Sequence, residues 1–197
     1  MFALVESGSI IKMLNGNRGI TIDGIQHPRA IYTLWTEAER NALGIYTVEY
    51  DNSNKKDERW YINTNQSYAF GSGKVTATYG TATAKAHADV NATDADGVDL
   101  DPVVVIEGLK TKLIRTIKLQ AEDELNKTDW YITRKAEKNT AIPSAITTHR
   151  DAVRSKQDSM CTAITNASDT PALETLYTYT KQEDGSVTRP LGQLPTL

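Results

Sequence analysis

The chain has 197 residues, 39% hydrophobic and 24% charged, a balance that fits a folded globular protein and excludes wholesale disorder. Its 22 Lys and Arg against 25 Asp and Glu leave a net charge of −3, without the concentrated basic surface of a nucleic-acid binder. A single cysteine, Cys161, excludes an internal disulfide, and the longest apolar run, Pro102 to Ile106, falls far short of the roughly 20 residues of a membrane span.

The opening MFALVESGSI has no basic n-region and no long apolar core, so no signal peptide is expected. Residues 1–80 read as a β-rich domain. Phe2–Val5 and Ile10–Leu14 are apolar runs, Asn15-Gly16 and Asp23-Gly24 are turn dipeptides, and Ile20 and Ile22 alternate with polar neighbours. Thr36-Glu37-Ala38-Glu39 is a capping box that starts one short helix, and Gly44 ends it. Ile45–Tyr50 is a strong strand, for which Arg59–Ile62 is the expected antiparallel partner. Gln66–Phe70 and Lys74–Tyr79 form a second hairpin around Gly71-Ser72-Gly73. Most of the aromatics between residues 32 and 70 are expected in the core of this domain.

Residues 81–107 change character. Thr, Ala and Asp dominate the stretch up to residue 101, which buries too little apolar area to offset the entropy of ordering it, so the segment reads as a linker. From Gly108 the period becomes helical: Leu109, Leu113, Ile117, Ala121 and Leu125 recur every four residues, with Ile114 widening the stripe. A second helix starts near Pro143 or Ser144 with Ile146, Val153, Met160 and Ile164 on its inner face, so 108–168 reads as an αα-hairpin turning at 138–142. In the tail, 169–197, Thr170-Pro171 caps a short helix, and Asp184-Gly185 turns a β-hairpin. The expected fold class is α+β.

No chemistry-bearing motif appears. His27, His87 and His149 are scattered, and there is no His-Glu-x-x-His, Cys-x-x-Cys, Gly-x-Ser-x-Gly or P-loop pattern. Around Gly97, an EF-hand register would place Ala92 and Val103 at two ligand positions, so Asp94, Asp96, Asp99 and Asp101 read as solvated acids. The expectation is a non-enzymatic protein with no catalytic residue, no cofactor and no metal. Cys161 reads as a small buried hydrophobe. Arg150 and Arg154 read as a salt-bridged helix face beside Asp151 and Asp158.

The segment Arg115…Leu125, Thr128-Asp129-Trp130, Pro143 and His149-Arg150-Asp151-Ala152-Val153-Arg154 resembles the short helical module of phage tail assembly chaperone proteins, over residues of about 108–156. That family carries an Arg-rich first helix ending in Thr-Asp-Trp and a Tyr-Arg-x-x-Leu-Arg on the second. Here His149 replaces the aromatic and the 131–139 connector differs. Gly24–Pro28, Glu39–Gly44, Trp60–Ile62 and Arg189–Leu191 are similar to small tail-associated proteins of marine tailed phages.

These resemblances imply a structural protein of the tail, tail-fibre or baseplate region, made in the host cytoplasm and carried in the virion. Its partners would be other tail proteins, in a homo- or hetero-oligomer, with no nucleic acid and no membrane. The alternatives are an assembly chaperone left out of the virion, and a module that binds host-surface glycans. The candidate interaction or hairpin-bracing residues are Ile114, Asp129, Trp130, Ile132, Arg150 and Arg154. In this reading Asp129 braces the turn, Trp130 closes the apolar end and Arg150 pairs with a carboxylate on the facing helix. Ile106, Ile114, Ile132 and Ile142 lie at or beyond the edge of the stripe and require cover from another surface.

Overall fold

A computed structural model describes all residues from 1 to 197 as two compact units, Met1–Thr83 and Ala84–Leu197, of mixed α+β class. In the first unit, β1 (Phe2–Glu6) pairs antiparallel with β2 (Ser9–Leu14), and Ile11 bulges out where the register shifts between Leu4 and Val5. A small hairpin follows, β3 (Ile20–Ile22) with β4 (Ile25–His27), then a 3₁₀ turn at Arg29–Tyr32. Helix α1 (Glu37–Ala42) is capped as its sequence dictates. Thr36 Oγ1 accepts from the Glu39 amide while the Glu39 carboxylate accepts from the Thr36 amide at 2.7 Å.

Gly44 ends α1 at a φ of +76°, and a Cβ there would meet the Val5 carbonyl oxygen at 2.5 Å. Only glycine satisfies both the left-handed turn and that close approach. The chain continues as β5 (Ile45–Asp51), the short β6 (Tyr61–Ile62), and the hairpin β7 (Gln66–Gly71) with β8 (Lys74–Tyr79).

The main sheet has the order β2-β1-β5-β8-β7, and β5 pairs with β8 in parallel, Val48 beside Val75. The expected antiparallel pairing of Ile45–Tyr50 with Arg59–Ile62 does not form. The chain from residue 52 to 65 crosses over instead, and the β7–β8 turn returns β8 to the edge of β5. Alternation in β1 and β5 buries both faces. Leu4, Leu14 and Ile45 pack with Ile20, Ile22, Ile31 and Tyr32, while Ala3, Val5 and Val48 pack with Val75 and Ala77.

A short strand β9 (Thr83–Ala84) lies at the junction of the units. Residues 81–107, expected as a linker, contain a hairpin of β10 (Val90–Asn91) with β11 (Val105–Ile106). Its order comes from polar fastening rather than apolar burial. The first amides of α2 (Leu109–Asn126) donate to the carbonyls of Ala86 and His87, both at 3.0 Å. The Asp89 carboxylate accepts from the Gly108 amide at 2.8 Å and from Thr111 Oγ1 at 2.7 Å. A Cβ on residue 108 would collide with the Ala88 backbone, so glycine is required at this junction.

Helix α2 packs antiparallel on α4 (Ser144–Asn166) along a seam of Ile117, Ala121, Ile146, Val153, Met160 and Ile164. Between them stands α3 (Asp129–Lys138), ended by Asn139 at a φ of +55°. Residues 131–139, expected as a connector, thus supply most of this helix and its cap. Helix α5 (Thr170–Tyr177) is capped by Asp169, whose carboxylate accepts from the Ala172 amide, so the cap lies one residue before the expected Thr170. The terminal hairpin joins β12 (Thr180–Lys181) to β13 (Val187–Thr188). No helix is long and apolar enough to cross a membrane.

Candidate interaction site

Helix α2 ends with carbonyls that need donors, and the sequence supplies them from α4. Arg150 is buried, and its Nη1 donates to the Leu125 carbonyl at 2.8 Å, Thr128 Oγ1 at 2.7 Å and Asp129 Oδ1 at 2.7 Å. Thr128, 1% exposed, also donates its hydroxyl to the Leu125 carbonyl. One guanidinium thus closes the C-terminal end of α2 and the start of α3. At the far end of the seam, Lys110 Nζ donates to the Thr165 carbonyl at 2.9 Å. The seam is therefore apolar in the middle and tied by a cation at each end.

A second polar cluster adjoins the first. Glu124 is buried on α2, where its carboxylate accepts from Lys127 Nζ and from the Leu197 amide at 3.0 Å. His149 Nε2 lies 3.3 Å from the same carboxylate, without the alignment of a hydrogen bond. The Lys127 hydrogen bond is the main reason the Glu124 carboxyl titrates below the ordinary glutamate range, against the upward push of burial. Glu124 and His149 escaped the sequence reading because a helix periodicity places an acid at residue 124 without revealing that the chain's last residues fold back over it.

The predicted residues fall into three groups. Asp129 and Arg150 meet in one network. Trp130 and Ile132, by contrast, stand outward on α3, 51% and 43% exposed. The ring centroid of Trp130 lies 3.9 Å from that of Tyr131, and the Arg134 guanidinium carbon sits 4.6 Å from the Trp130 centroid. The third group joins neither arrangement. Arg154 makes an exposed pair with Asp151 at 3.3 Å, and Ile114 is half-buried about three turns back along α2. Tyr131 and Arg134 were missed although Asp129 in the first turn, Lys135 and Lys138 in the last, and Asn139 beyond them spell a helix.

Other candidates have different surroundings. Asp94 accepts from the amides of Asp96 and Val98, so its carboxylate is occupied in shaping a turn. Cys161 is half-buried, and burial pushes its thiol up, away from a reactive thiolate. Of the aromatics between residues 32 and 70, only Tyr50 is exposed, and Tyr32, Trp60 and Tyr61 are fully in the core. The second unit carries a helical hairpin tied at both ends, with an aromatic and cationic helix at one of them. No known protein family, curated protein or solved structure matches this chain.

Proposed function

We propose that the chain is a non-enzymatic structural component of the tail, tail-fibre or baseplate region of a tailed phage, working through protein–protein contacts. The observation that carries this reading is the convergence of Leu125, Thr128 and Asp129 on Arg150. These are the residues on which the resemblance to tail assembly chaperone modules rests, and their hydrogen bonds give that motif a physical role in bracing a hairpin. Trp130 and Ile132, left open beside the braced turn, fit a surface completed by another subunit.

Mass spectrometry of purified virions tests the reading, with the protein expected at a stoichiometric ratio to other tail proteins. Presence in infected-cell lysate with absence from virions would assign it instead as an assembly chaperone, the role of the proteins its hairpin resembles.

A further inference from the structure

Two apolar surfaces of the second unit are open, and they lie at opposite ends of α2. At its N-terminal end, the β10–β11 hairpin leaves Val98, Leu100, Val103, Val104, Val105 and Ile106 exposed. At its C-terminal end stands α3, a helix with no buried residue that exposes Trp130 and Ile132. The 18 residues of α2 hold these surfaces about 27 Å apart, too far for the two to cover each other within one chain.

Their charges are complementary. Residues 89–107 hold six carboxylates, Asp89, Asp94, Asp96, Asp99, Asp101 and Glu107, and no Lys or Arg. Asp89, Asp94, Asp99 and Glu107 have hydrogen-bond partners within the chain, whereas Asp96 and Asp101 have none. On α3 the acid Asp129 is already engaged by Arg150, which leaves Glu137 against Arg134, Lys135 and Lys138. Neither Lys135 nor Lys138 has an ion-pair partner. Two hairpins facing each other would oppose like charges, whereas a hairpin facing α3 opposes unlike ones.

We propose that the acidic, valine-rich hairpin of one copy docks on the aromatic, cationic α3 of a second copy, head to tail. The inference rests on the reading of the chain as a structural component that works through protein–protein contacts, and it names one such contact. Such a contact is heterologous. Each docked copy still offers a free hairpin at one end and a free α3 at the other, so association continues into a ring or a filament.

The test uses the full chain and two variants, Val104→Asp in the hairpin and Ile132→Asp in α3, with mass in solution measured by light scattering. Both positions are exposed, so both variants should keep the wild-type circular dichroism and melting temperature. The wild type is expected to grow in mass with concentration. It should dissociate as ionic strength rises from about 0.01 M to about 1 M, where the screening length falls from about 30 to about 3 Å. Each variant alone should lose at least about tenfold in association constant. Mixed together, they should form a 1:1 dimer that grows no further, because each supplies the half the other lacks. That rescue also demonstrates that both variants are folded.

A wild type that stays monomeric at low salt, or variants that associate as the wild type does, would overturn the proposal. So would a mixture that gains nothing over its components. A monomer found in virions would sink this contact while leaving the structural role intact. An oligomer absent from virions would do the reverse.

Discussion

The two units solve the same problem of burying apolar side chains with opposite results. The first wraps both faces of one sheet, so that Ile31, Ile45 and Val75 are fully buried, and it encloses Trp60 to about 1% exposure. The second buries one seam between α2 and α4, ties its ends with Arg150 and Lys110, and leaves its hairpin and α3 uncovered. A sheet covered on both sides meets its own demand for cover, whereas two helices present outer faces that need solvent or a third layer. The contrast teaches where to look for a partner: on the unit fastened by polar groups. Most of its exposed apolar residues gather on one hairpin and one helix, whereas those of the first unit, Ile11, Ile25, Leu34 and Ile62, lie on separate segments.

The comparison breaks first, and furthest, at Trp60. Trp60→Ala should cost about 3–5 kcal/mol, the range for removing a large aromatic from a core. The loss should appear in the thermal transition of the first unit, read by calorimetry, while the helical unit keeps its own. Equal destabilisation of both transitions would contradict their independence.

Arg150→Ala probes the other strategy. It removes the three hydrogen bonds of a buried guanidinium, the ion pair with Asp129 among them, while Thr128 still donates to Leu125, which points to a loss of about 1.5–3 kcal/mol in denaturant titration. Arg150→Lys should recover only part of it, because a point charge cannot reproduce the fork of a guanidinium. A smaller effect, set by acidity, belongs to Glu124. Its folded value lies below the ordinary 4.5, so its contribution is complete above that value and is lost as pH falls through the folded one. Glu124→Gln should flatten the stability profile of the second unit in that acidic window, with its largest loss above the window, near neutrality, where the carboxylate's contribution is complete. The smallest effect is expected on α3. Trp130→Ala should change stability by less than about 0.5 kcal/mol, since the side chain is half exposed and packs only against its own helix.

Legibility from the sequence follows the same divide. The capping box at Thr36, the Gly44 stop and the four inward residues of α4 were all readable, because local hydrogen bonding and periodicity are written in consecutive residues. The parallel β5–β8 pairing was not, since it joins segments that no local pattern links. The hairpin in residues 81–107 was hidden for another reason. Its order depends on Asp89 reaching the start of a helix, and low apolar content alone suggests a linker. Among the candidate residues, Arg150 is expected to pair with a carboxylate on the facing helix, and its partner Asp129 stands instead at the start of α3. The cluster at Glu124 needed the fold itself, because its partners at residues 149 and 197 come from separate stretches of chain.

The parallel pair also sets an order of events during synthesis. Strands β1, β2 and β5 can zip together as soon as residue 51 is free, since their pairings are antiparallel and β1–β2 is a local hairpin. The face that carries Ala3, Val5 and Val48 has to wait for Val75 and Ala77, which arrive only with β8. Until then that face is a bare apolar edge, and closing it requires a long-range, entropically slow step. The nascent first unit therefore passes through a half-built sheet as it leaves the ribosome, and pausing before residue 79 would leave it in its most aggregation-prone form.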